Sequence, residues 1–128
     1  KLAIPDFRVR NVEDELLKHA QSYAEWAQEL VRLENLAARQ EEQIENYTAP
    51  LGDDIRDDLR MTRGKSGVTE KMVEDRVTLN REVRERRSRL RKTNNKLRLA
   101  KAILKSLEAK LSAMQSYARL RRGEFDNS

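Results

Sequence analysis

Cysteine is absent from this 128-residue chain, so neither a disulfide framework nor a thiolate metal site is open to it. That composition fits a reducing compartment, and the cytoplasm is the expected one. Proline occurs twice and glycine four times, too rarely for the many turns of an all-β sandwich or barrel. No run of about 18 apolar residues exists to span a membrane, and no signal-like apolar stretch opens the chain. The single histidine, His19, falls on a packing seam with no obvious partner, and no phosphate-cradling glycine loop or zinc-helix motif is present. Catalysis is left without candidate residues, no cofactor or metal is expected, and the reading is of a protein that is not an enzyme.

What the chain has in abundance is charge and helix formers. Hydrophobic and charged residues each make up 38%, too polar for a thick core and suited to long amphipathic helices sharing a narrow seam. The net charge of +5 hides an asymmetry: residues 1–64 hold 9 basic against 14 acidic side chains, and residues 65–128 hold 18 against 8. The halves are therefore oppositely charged, able to attract one another, copies of themselves, or separate anionic and basic partners.

The fold class read from this pattern is all-α: a long antiparallel, coiled-coil-like helical hairpin with a short intervening helix, assembling into a homo-oligomer. One domain covers 1–128. Residues 1–10, with Pro5 and no sustained period, form an irregular arm. Asn11 is a good N-cap with Glu13, Asp14 and Glu15 in the first turn, and a heptad seam from Leu16 through Tyr23, Trp26, Leu30, Leu33 and Ile44 to Tyr47 gives a first helix over 11–48. Pro50 stops it. A connector over 49–67 contains Asp53, Asp54, Asp57 and Asp58, which lack the glycine and terminal glutamate of an EF-hand and read as solvated or as contacts for basic residues. Ile55 and Leu59, four apart, allow a short helix inside it. Thr69 caps a short second helix over 68–80, with Met72, Val73 and Val77 apolar. A long last helix covers 81–122, and propensity alone permits it to be continuous with the second.

The last helix carries three patterns. Its seam is Val83, Arg86, Leu90, Thr93, Leu97, Ala100, Leu104, Leu107, Leu111, Met114 and Ala118. Beside it Arg84, Arg87, Arg91, Asn94, Arg98, Lys101 and Lys105 recur every three or four residues, a single stripe on an α-helix. Between Arg81 and Lys110 there are 12 basic and 3 acidic residues, so local pairing can neutralise few of the cations. The expected ligand is a nucleic-acid backbone, bound at Arg84, Arg87, Arg91, Lys92, Arg98, Lys101 and Lys105 in a salt-sensitive, sequence-independent way. Pairing of the stripe with protein carboxylates is the competing reading. Tyr47 and Tyr117 are the aromatics most available for base stacking. Finally, Leu99, Ile103, Ala113, Tyr117 and Leu120 form a second apolar face, expected to hold the oligomer together.

The order of these pieces resembles the phage UvsY-type recombination mediators. The likeness runs from about Tyr23 to Glu124 and rests on Tyr23, Trp26, Leu30, Leu33 and Glu34 in the first helix, Thr69-Glu70-Lys71-Met72, Val77-Thr78-Leu79-Asn80, Lys101-Ala102-Ile103-Leu104-Lys105-Ser106-Leu107-Glu108, and the tail from Arg119 to Glu124. The resemblance implies a ring-forming protein that binds single-stranded DNA, displaces single-strand binding protein and loads a strand-exchange recombinase, in the host cytoplasm if the chain is phage-encoded. One departure stands out: where the family can place basic DNA contacts late in the first helix, this chain has Glu41, Glu42 and Gln43, which moves the expected DNA path to the long helix. A structural coiled-coil adaptor or phage scaffold protein, using its opposite charges for self-assembly, is the alternative of another class.

Overall fold

The computed structural model describes residues 2–5 and 12–126. Helix α1 is Val12–Arg63, α2 is Glu70–Leu79 and α3 is Arg81–Asp126, with a 3-10 turn at Lys65–Gly67. No strand occurs among the described residues. Residues 2–5 lack regular structure, and Leu2 rests against the apolar core. The rest of the arm and the cap expected at Asn11 lie outside the described residues.

α1 overruns its expected end. It runs through Pro50 to Arg63, so the helix read over 11–48 and the connector read over 49–67 are both corrected. A proline inside a helix lacks the N–H that would reach the carbonyl four residues back and crowds that carbonyl, at a cost of about 3 kcal/mol. The chain beyond it offsets the loss. Leu51, Ile55 and Leu59, spaced by four, join one apolar cluster with Val73, Val77 and Val83. Leu59 is only 1% exposed, and each large aliphatic side chain buried contributes about 1.5–3 kcal/mol. Several such burials outweigh one missing hydrogen bond.

Gly64 ends α1. Its φ of 78° and ψ of 165° are a combination essentially restricted to glycine, and its N–H donates to the Arg60 carbonyl at 2.9 Å. The Thr69 hydroxyl then accepts the Met72 N–H at 3.3 Å, capping α2 as the sequence suggests. α2 and α3 are separate helices. Asn80 has extended ψ of 129° between them, and its N–H closes α2 on the Val77 carbonyl.

Where the sequence suggests one domain, the chain resolves into two compact units: a terminal unit of Lys1–Leu33 with Lys96–Ser128, and a central unit of Glu34–Asn95. In the terminal unit Trp26 and Leu33 of α1 share a core with Ala100, Ile103, Leu104 and Leu107 of α3. The helices run antiparallel there: Glu15 meets Lys110 at 2.9 Å and His19 meets the Leu107 carbonyl at 2.6 Å, so rising numbers on one helix face falling numbers on the other. In the central unit, α1 beyond Glu34, α2 and the first turns of α3 surround Leu59, Val73, Val77 and Val83.

The buried face of α3 is wider than the expected seam. Ala100, Ile103, Leu107, Lys110 and Met114 are buried together with Leu104, whereas Leu111 is half-buried. The buried residues keep three-four spacing at 100, 103, 107, 110 and 114, so the face of α3 that is covered is wider than the seam and takes in Ile103 and Lys110 on one side of it. Ile103, 5% exposed, is therefore a core residue and not part of a free apolar face.

Candidate nucleic-acid interface

All seven cations read from the sequence as DNA contacts are exposed on α3. Arg84, Arg87, Arg91 and Lys92 belong to the central unit; Arg98, Lys101 and Lys105 belong to the terminal unit. The helical spacing puts them there without distortion, because straight-chain cations are good helix formers whose heads reach water while their stems lie along the surface. Asn94, the interruption in the stripe, is half-buried.

Their lack of protein partners is more telling than their exposure. Among the described residues none of the seven forms an ion pair, and the Arg87 guanidinium makes one long contact, 3.5 Å to the Thr78 hydroxyl. The three acids between Arg81 and Lys110 are engaged elsewhere. Glu82 holds Arg86 at 2.9 Å, Glu85 holds Arg81 at 3.2 Å, and Glu108 accepts the Tyr23 hydroxyl at 3.1 Å. That last bond pushes the Tyr23 phenol above its ordinary range, since Glu108 accepts a hydrogen bond from the neutral phenol and its charge repels a phenolate. Lys110, off the stripe and buried, is bonded to Glu15 at 2.9 Å.

Two acids of the group on α1, Asp53 and Asp58, find cations within their own unit. Arg56 bridges Asp53 at 2.9 Å and Glu70 at 3.0 Å, and Arg76 approaches Asp58 at 3.9 Å. Arg56 holds the Glu70 carboxyl below its usual range through a two-pronged hydrogen bond. Among the described residues no cluster of histidine, aspartate and glutamate is arranged to hold a metal.

Of the residues read as an oligomer contact, Leu99, Ala113, Tyr117 and Leu120 are exposed, Leu99 and Tyr117 by about half, while Ile103 is withdrawn into the core. His19 is a packed histidine: its Nε2–H donates to the Leu107 carbonyl and its ring stacks on Tyr23. Sequence reasoning missed two features. Arg89 is a further exposed cation on α3, hidden because it falls outside the three-four stripe. Tyr47 sits beneath the Arg86 guanidinium, 4.9 Å from the ring centroid; Arg86 at a seam position was the available signal.

The class defined so far is an all-α protein of two compact units with exposed, unpaired cations on its last helix. No protein-family model, curated protein or solved structure matches the chain. No helix is long and apolar enough to cross a membrane among the described residues.

Proposed function

We propose that this chain binds single-stranded DNA through the backbone phosphates, using the exposed cations of α3, and acts as a recombination mediator that helps load a strand-exchange recombinase in place of single-strand binding protein. The observation that carries the reading is the division of charge on α3. Arg81, Arg86 and Lys110 take carboxylate partners, whereas Arg84, Arg87, Arg91, Lys92, Arg98, Lys101 and Lys105 take none among the described residues. Cations recurring along a helix, with one interruption at Asn94, suit the repeated charge of a phosphodiester backbone. The mediator role follows from the likeness to the UvsY-type family.

The working form is a homo-oligomer, with Leu99, Ala113, Tyr117 and Leu120 as the apolar contact. Several weak DNA contacts joined in one assembly gain strength from effective concentration and still release the strand stepwise. Two measurements test this. Retention of single-stranded oligonucleotides should fall steeply with salt, and strand exchange by the cognate recombinase should be stimulated when single-strand binding protein is present. Salt-insensitive or absent retention, with no stimulation, favours a scaffold whose opposite charges only direct self-assembly.

A further inference from the structure

We infer that Glu34, Glu41 and Glu45 of α1 make the strand-binding face selective for single-stranded over duplex DNA. This rests on the strand-binding reading above and adds to it the residues that refuse a second strand. All three are exposed and form no ion pair among the described residues. Spaced by seven and four, they make one row on α1, and all lie in the central unit. Glu41 directly follows the half-buried Gln40 and Glu45 the half-buried Ile44, just as Arg87 and Arg91 on α3 directly follow the half-buried Arg86 and Leu90. α1 and α3 run antiparallel here, since Tyr47 meets Arg86 while Leu51, further on, joins the cluster around Val83. In two antiparallel helices that share a seam, the flanks that follow the seam lie on the same side. The acidic row therefore borders the same face as the basic stripe. Counting from Tyr47 and Arg86 brings Glu45 about level with Arg87, and Glu41 about level with Arg91.

Phosphates held on the α3 stripe thus stand one helix spacing from a row of carboxylates. Packed helices lie about 8–10 Å apart, and charges are screened over about 8 Å at physiological salt, so the acids repel any anion that extends across the face. A single strand carries one row of phosphates and bends freely enough to keep it along α3. Duplex DNA carries two rows, separated by about 6 Å across the minor groove and about 12 Å across the major, and it is stiff over about 150 base pairs. Seating one row on Arg87 and Arg91 sets the other toward α1, where Glu41 and Glu45 meet it. An arrangement that penalises the wrong ligand gives specificity without touching the right one.

The test is fluorescence anisotropy at low salt, with the full-length chain, a single strand of mixed sequence and the duplex formed from it. The wild type should hold the single strand tighter than the duplex. Glu34→Gln, Glu41→Gln and Glu45→Gln together keep good helix formers at exposed positions. They should tighten duplex binding about fivefold more than single-strand binding, the scale of a few exposed charge contacts. A control carrying Glu25→Gln, Asp54→Asn and Asp57→Asn removes the same charge from exposed positions that the helical spacing puts on the opposite side of α1, and should leave the selectivity as it was. Equal affinity of the wild type for both forms overturns the selectivity while strand binding stands. So does a preference that survives in the row variant, or a control that opens duplex binding equally far. Should the wild type hold neither form, the strand-binding reading fails and the selectivity falls with it.

Discussion

The side-chain oxygen of Asn80 accepts the Val83 N–H at 3.1 Å, while the Asn80 N–H closes the helix before it. One residue thus finishes α2 and caps α3. Asn80→Ala removes the cap acceptor, and the expected loss is about 1 kcal/mol in chemical denaturation. Asn80→Asp keeps the acceptor and should sit close to the wild type. Equal stability of all three would mean that the cap contributes nothing.

Gly52 offers the opposite sign. It lies inside α1, and a Cβ built on it comes no nearer than 3.9 Å to the Val73 side chain, an ordinary contact. Gly52→Ala should raise stability by about 0.5–1 kcal/mol through helix propensity. A lower unfolding midpoint would show that the α1–α2 contact is tighter than this spacing implies.

The Arg56–Glu70 bond links α1 to α2 and makes stability depend on acid. Arg56 lowers the Glu70 pKa below its ordinary 4.5 in the folded chain, so the contribution is present above that value and fades as pH falls through the lower folded one. Glu70→Gln should flatten that part of the acid limb in a denaturation series. An unchanged limb would assign the acid sensitivity to other carboxylates.

Much of this architecture was legible beforehand, for physical reasons that differ by element. Thr69 and the long last helix were read correctly because capping and propensity are local. The passage through Pro50 was not legible, since it is decided by Leu59 meeting Val73, Val77 and Val83, contacts a single segment does not reveal. Ile103 stands beside the seam, and whether such a flank is covered is decided by contact with Trp26 and Leu33 of α1, which the pattern of one helix does not reveal. Six of the seven cations, all but Lys92, stand out by spacing alone, whereas the Tyr47–Arg86 stack depends on two helices meeting and leaves no periodic trace.

Ile103 and Leu120 should consequently behave as different kinds of residue. Leu120→Asp, at a position 69% exposed, should leave helicity and melting intact and yield smaller species in sedimentation. Ile103→Asp puts a charge into the core of the terminal unit and should cost about 3 kcal/mol or more. If Leu120→Asp sediments like the wild type, the exposed apolar residues of α3 do not hold the assembly.

For the stripe, Arg84, Arg87, Arg91 and Arg98 are changed together to Gln, a good helix former at exposed positions. Affinity for unrelated single-stranded sequences should fall together. The slope of log affinity against log salt should shrink by up to about three units, at about 0.7 for each phosphate no longer neutralised. Unchanged affinity and slope, with a weakened oligomer, would instead place these cations against carboxylates of neighbouring subunits.

The two units also differ in when the ribosome completes them. The central unit is one unbroken stretch of chain, whereas the terminal unit needs both Lys1–Leu33 and Lys96–Ser128. During synthesis Trp26 and Leu33 emerge long before Ala100, Leu104 and Leu107 exist to cover them. Nascent chains therefore carry an uncovered apolar strip until α3 has been made, a hazard for aggregation. Stalled or truncated products ending before Lys96 should be the ones that engage chaperones.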